Sequence, residues 1–199
     1  VWVADNSLLS LSPKAFYAPY PYSPPPYDVQ EPTGTPYMTM LSPGTLKKNV
    51  FPQFLAAAQF QKFLLEEKHI PACPLYTNVD VPALLHQHLD YKVSGWLPQV
   101  QYDVLIRGSW LNWSCSWSET FGYQPAEAAA YGVPSVCSRA IPWAPEQYLV
   151  QNAQDVAEMV RCAKMLWHVG NVIRAAIEGW STQANREVLA AFAREAPDP

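Results

Sequence analysis

Charge is scarce in this sequence. Asp, Glu, Lys and Arg make up 15% of its 199 residues, below the roughly one quarter of an average soluble domain. A disordered acidic or basic chain is therefore excluded, and the 49% of hydrophobic residues calls for a buried core. The formal net charge is -4 at pH 7, so a broad basic face for duplex nucleic acid is not expected, although a local basic pocket is not excluded. No apolar run approaches the roughly 18 residues that a membrane span needs, so no transmembrane segment is expected. Cysteine is sparse as well. Cys73, Cys115, Cys137 and Cys162 show neither CxxC spacing nor a zinc-like cluster with histidine, and they read as buried, reduced thiols of a cytoplasmic protein. His86 and His88 stand two apart, which on a helix turns them about 200° from each other and prevents joint chelation. No metal site is expected. The opening VWVADN has no charged-then-apolar leader, so the expectation is no signal peptide, with the chain a fragment or a processed product.

Proline is abundant and unevenly placed. Of the 20 prolines, nine fall between Pro13 and Pro43. The stretch YAPYPYSPPPYDVQEP supports neither a helix nor a central strand, and reads as an extended linker lying on a surface. Beyond it, short apolar strands alternate with helices. PYMTML, IPACPLYT, YKVSGW, LNWSCS and VPSVCS are strand candidates. The segment from Val50 to His69 is a helix, with Phe51, Phe54, Leu55, Ala58, Phe63 and Leu65 roughly on its apolar stripe. VPALLHQHL opens a helix at Pro82. QVQYDVLIRGS is a short helix closed at Gly108, and YQPAEAAAYG an alanine-rich one closed by Gly132. AQDVAEMVRCAKMLWHV and STQANREVLAAFAR are amphipathic helices. This alternation predicts an α/β fold with a doubly wound parallel sheet. Ligands in such sheets lie beyond the carboxyl ends of the strands, so the loops of interest follow Leu41, Tyr76, Trp96, Ser116 and Ser138.

The loop after the fourth strand, CSWSETFGYQPAE, concentrates the chemistry. Glu119 lies in the strand-to-helix turn, Gly122 admits close backbone approach, and the following helix offers free N–H groups to an anion. Glu127 falls about one turn inside that helix, where it can accept hydrogen bonds from a pair of sugar hydroxyls. Trp110, Trp113 and Trp117 recur around the strand and read as packing residues, with Trp117 nearest the crevice.

SETFGYQPAEAAAYGVPSVCS resembles the signature of retaining GT-B glycosyltransferases of the family-4 type: a Glu, seven residues and a second Glu flanking Phe-Gly, then a small-residue helix, Gly-x-Pro and a strand. MLSPGTLKKNVFPQFLAAA is similar to the first strand, phosphate loop and helix of the C-terminal, donor-binding domain. YKVSGWLPQVQYDVLIRGSWLNWSCS and IPWAPE resemble its flanking segments. The resemblance implies a Rossmann-like half of a GT-B fold that transfers a hexose from a nucleotide-diphosphate sugar with retention. It makes Glu119 the catalytic residue facing the donor sugar. Lys48 is the diphosphate cation. Thr120, Phe121, Gly122 and Tyr123 are the backbone cradle, and Glu127 is the ribose ligand. At the first loop the sequence departs from the pattern, since LSPGTLKK lacks the Gly-Arg that often follows the first strand. Lys47 is the substitute, a point charge rather than a bidentate fork. No cofactor is implied, and a metal is not, since the sequence has no Asp-x-Asp.

Residues 1–34 then read as the remnant of a preceding domain plus the linker, 35–171 as the nucleotide-sugar domain, and 172–199 as C-terminal helices. The base pocket is expected from TNVD and GWLPQ, with Trp96 and Leu97 flanking a ring. The acceptor half belongs to an N-terminal domain or a partner chain. Two alternatives stay open: a non-catalytic nucleotide-sugar-binding module, and a protein-interaction module on a glycosyltransferase fold.

Overall fold

The computed structural model describes residues 2–3, 16–17, 34–119, 122–141, 143–144, 146 and 149–169. Two short strands, β1 (Trp2–Val3) and β2 (Phe16–Tyr17), pair in parallel, with Trp2 opposite Phe16 and Val3 opposite Tyr17. Most of the Pro/Tyr linker and the expected helices from residue 172 onward lie outside the described residues.

The main body runs β3 (Met38–Met40), α1 (Val50–Lys68), β4 (Leu75–Thr77), β5 (Tyr91–Val93), α2 (Gln99–Arg107), β6 (Leu111–Ser114), α3 (Tyr123–Ala130), β7 (Ser135–Ser138), β8 (Leu149–Val150) and α4 (Val156–Val169). Its sheet has six strands in the order β5-β4-β3-β6-β7-β8, and every pairing is parallel. The fold is therefore the expected α/β doubly wound sheet. The chain works outward from β3 through β4 to β5, then starts again beside β3 at β6. That reversal opens a crevice at the carboxyl ends of β3 and β6. The strands are short and buried throughout at β3, β6 and β7, as parallel strands covered on both faces should be. Proline stands just ahead of two of them, where it favours an extended entry without interrupting the ladder. The carbonyls of Pro74 and Pro134 accept from Met38 and Asn112, each at 2.9 Å.

The two faces of the sheet differ. On one, α1 packs against α4, and Trp113 is fully buried. Phe60 meets Trp113 edge-on at 6.2 Å and Trp167 at 5.7 Å. The opposite alternation carries a polar row. Thr39 lies in register with Asn112, and Asn112 with Ser135, all fully buried. Asn112 Nδ2 donates to Ser135 Oγ at 2.9 Å, while its Oδ1 accepts from Gln124 of α3 at 2.7 Å and lies 3.2 Å from Thr39 Oγ1. Buried polar groups persist where each finds a partner, and here the partners come from neighbouring strands and a helix.

Some expectations are corrected. On α1 the buried face is Gln53, Phe54, Ala56, Ala57, Phe60, Phe63 and Leu64, while Phe51 and Leu65 are 43% and 54% exposed. This helix is apolar around much of its circumference, so periodicity alone did not identify its inner face. VPALLHQHL forms only a 3₁₀ turn over Ala83–Leu85, with Pro82 as its N-cap. β8 and a 3₁₀ turn over Leu46–Lys48 went unanticipated. The four cysteines are free and buried. Burial pushes the thiols of Cys73 and Cys162 up to about 12 and those of Cys115 and Cys137 well above the usual range, so none supplies a thiolate nucleophile.

Replacing Asn112 with Ala strands its hydrogen-bond partners in the interior. Urea unfolding should register a loss of about 2–3 kcal/mol. Lys62→Ala, which breaks an exposed pair with Glu66, should change stability by less than ~0.5 kcal/mol.

Candidate active site

Two loops frame the crevice: residues 41–49 after β3 and residues 115–119 after β6. Two buried amides tie them together. Gln53, in the first turn of α1, donates to the carbonyls of Lys48 and Asn49 at 2.7 and 3.1 Å, and its Oε1 accepts from the N–H of Cys115 at 2.8 Å. Asn49 is in the left-handed region (φ 53°). Its Nδ2 donates to Cys115 O at 3.2 Å and to the carbonyl of Ala153. Farther along, Trp117 N–H reaches Lys47 O at 2.8 Å. Sequence reasoning passed over Asn49 and Gln53. The available signal was two amides at the head of an otherwise apolar helix.

This clamp brings Lys48 and Glu119 together. Lys48 Nζ donates to Glu119 Oε1 in an ion pair whose side chains are only 18% and 9% exposed. Lys47 is exposed and makes no ion pair among the described residues. Thr120 and Phe121 lie outside the described residues. Gly122 caps α3 with φ 83°, and the cap makes no side-chain hydrogen bond to the helix. The first N–H groups of α3, beginning at half-exposed Tyr123, thus carry the positive end of the helix without a capping side chain. A Cβ on Gly122 would come within 2.5 Å of Ile141 Cδ1, so both conformation and space call for glycine here.

Glu127 projects from the second turn of α3. It is half-buried, and its Oε2 accepts from Tyr102 O–H of α2 at 2.7 Å. Burial raises its carboxyl above the ordinary range, the Tyr102 hydrogen bond pulls it back, and Asp103 adds a smaller upward push. Glu127 and Tyr102 line a cavity of about 200 Å³ together with Ser42, Asn78, Trp96 and Leu97. Asn78 holds the far wall by accepting Ser42 N–H at 2.8 Å. The indole of Trp96 is 80% exposed at the mouth. The TNVD and GWLPQ segments therefore meet Glu127 in one cavity. Tyr102 was not anticipated, and its place on the apolar-looking α2 gave no motif to find it by. The tryptophans divide: Trp113 is core, Trp110 stacks on Trp167 at 5.2 Å, and Trp117 is 58% exposed. Among the described residues no cluster of His, Cys, Asp and Glu has metal-binding geometry. No helix among them is long and apolar enough to cross a membrane.

Taken together, the crevice has an aromatic-walled cavity, a hydroxyl-accepting carboxylate, a helix N-terminus and a cation paired with a second carboxylate. No protein-family model and no curated protein matches the chain, but solved structures do. Sucrose-phosphate synthase of Thermosynechococcus elongatus matches with a TM-score of 0.71 at 15% identity, over 98% of this chain and 57% of its own. The UDP-forming α,α-trehalose-phosphate synthase of Burkholderia xenovorans matches with a TM-score of 0.61 at 12% identity, over 83% of this chain and 46% of its own.

The fold is that of a GT-B glycosyltransferase domain.

S. aureus TarM, another GT-B protein, matches over 96% of this chain and 40% of its own, with a TM-score of 0.59 at 14% identity. The chain thus spans about half the length of these GT-B structures. At such identities the likeness carries the fold. The chemistry rests on the residues in the crevice.

Two outcomes test this geometry. Gly122→Ala should lower stability by about 1–3 kcal/mol through backbone strain at positive φ and the clash with Ile141, read by denaturant unfolding. Glu127→Gln should raise the stability of the ligand-free protein at neutral pH. The native fold holds the Glu127 proton more tightly than the unfolded chain does, so the associated stability is present in acid and lost as pH rises through the raised value. Melting curves of wild type and Glu127→Gln should coincide best in acid and separate towards neutral pH, with the variant the more stable.

Proposed function

We propose that this chain is the donor-binding half of a retaining, hexosyltransferase-like glycosyltransferase of the family-4 type, with residues 35–171 as the nucleotide-sugar domain. The observation that supports it most is the cavity formed by Glu127, Tyr102 and Trp96 beside the Lys48–Glu119 pair, at the switch point of a GT-B sheet.

In this reading the donor base lies against Trp96 and Leu97. The ribose hydroxyls donate to Glu127, whose partial desolvation strengthens those hydrogen bonds. The diphosphate meets Lys48 and the N–H groups of α3, with Gly122 and Tyr123 forming part of its cradle. When the anion engages Lys48, Glu119 is released from its ion pair and turns to the donor sugar. Cleavage of the bond between the anomeric carbon and the leaving oxygen places negative charge on the diphosphate. Fixed dipoles and the Lys48 ammonium offset it without having to reorganise. The acceptor binds on a second half, either a preceding domain or a partner chain, and closure of the two halves limits donor hydrolysis.

One observation favours a second reading, a non-catalytic nucleotide-sugar-binding module: Lys48 is already neutralised by Glu119.

Calorimetric titration with UDP, GDP and their sugar conjugates tests the binding step. Glu127→Ala should weaken nucleotide binding about tenfold or more. Lys48→Ala should weaken diphosphates while sparing the nucleoside. If no nucleotide binds, or if Glu127→Ala binds like wild type, the donor role is wrong. Supplying the second half and following the anomeric signal by NMR separates enzyme from module. Retained transfer that Glu119→Gln abolishes without loss of nucleotide binding identifies the enzyme.

A further inference from the structure

A second cavity, of about 380 Å³, opens at the carboxyl ends of β6, β7 and β8. The strand order places it on the other side of the switch point from the Glu127 cavity. Loops after β3, β4 and β5 bound the first, together with Tyr102 of α2 and Glu127 of α3, and loops after β6, β7 and β8 bound this one. Its walls include Trp117, Ser138, Arg139, Asn152 and Gln154, none of which the nucleotide reading uses. The size suits a ligand of one or two sugar rings, within the range of small-molecule pockets.

The walls are held rigidly. Ser138 Oγ donates to Ser116 O, and Trp117 N–H donates to Lys47 O at 2.8 Å, so the segment carrying the indole is pinned on both sides. The Glu158 carboxylate accepts the N–H groups of Gln151 and Asn152, each at 3.0 Å. Asn152 Oδ1 in turn accepts Gln154 N–H at 3.0 Å. A rigid frame of this kind holds its side chains in place before a ligand arrives.

The chemistry of the lining is specific. Trp117 keeps a large apolar face in solvent, 58% exposed, which suits the C–H face of a pyranose. The guanidinium of Arg139 has no ion-pair or hydrogen-bond partner among the described residues, and no described carboxylate lines the cavity. A fork of donors without a described partner, in a chain of net charge -4, favours a bidentate anion. The amides of Asn152 and Gln154 serve ring hydroxyls.

We propose that this cavity is a carbohydrate subsite for a sugar bearing an anionic group, phosphate or carboxylate, with the ring on Trp117 and the anion on Arg139. It lies two residues along the chain from Glu119, yet it stands whether or not a nucleotide binds across the switch point.

The test is calorimetric titration of the full chain with glucose 6-phosphate, glucuronate, glucose and inorganic phosphate. At least one acidic sugar should bind more tightly than both glucose and phosphate, and the better of the two identifies the anion. Arg139→Gln should weaken that sugar about tenfold while leaving glucose unchanged, and Trp117→Ala should weaken both sugars. UDP affinity, measured alongside, should not move in either variant, so failure of this subsite and failure of the donor site are told apart. Equal binding of phosphate and the acidic sugars, or an Arg139→Gln variant that binds them like wild type, overturns the proposal. Should Trp117→Ala not fold, Arg139→Gln decides alone.

Discussion

The crevice depends on two side-chain amides. Asn49 and Gln53 sit at the head of α1 and reach across to the backbone of Cys115 after β6. At this point the sheet has no continuous chain to hold its two halves in register, because β3 and β6 are neighbours in space and distant in sequence. Backbone groups left unpaired there would cost about 1–3 kcal/mol each. The amides satisfy them, and in doing so they position the residue just ahead of them, Lys48, against Glu119.

The same economy of space sets the electrostatics. Lys48 and Glu119 are nearly out of solvent and complete each other, so neither is a bare buried charge. Among the described residues Glu127 accepts one side-chain hydrogen bond, from the Tyr102 hydroxyl, and its carboxyl is held above the ordinary range by burial. A carboxylate kept in a partly dry cavity with a single neutral donor is poised to gain from further hydroxyl donors. The crevice thus contains one group that is satisfied and must be displaced, and another that is under-satisfied and ready. This asymmetry suits a ligand that carries both an anion and vicinal hydroxyls.

The two helix faces show why some features were legible and others were not. The strands could be read because each is a short apolar run bounded by Pro or Gly, and the alternation with helices left few topologies. α3 could be read from its alanines and from Gly132, whose φ of 80° suits a helix stop. The inner face of α1 could not, because Phe51 and Leu65 carry the same apolar signal as Phe54 and Leu64. Only packing against α4 and the sheet separates them. The 3₁₀ turn at Ala83–Leu85 looked like a longer helix because local propensity does not register how little chain is available between β4 and β5.

By itself the sequence determined the class of fold, the chain order of strands β3 to β7 and the loop and helix that carry Glu119 and Glu127, since these follow from hydrophobic period, turn residues and local spacing. Only the tertiary structure decided which groups meet. It brought Tyr102 to Glu127 across 25 positions and Lys48 to Glu119 across 71, and it put Trp117 and Arg139 on one cavity wall. Local periodicity carries no information about such pairings, because they are set by strand order and by which loops the sheet places side by side.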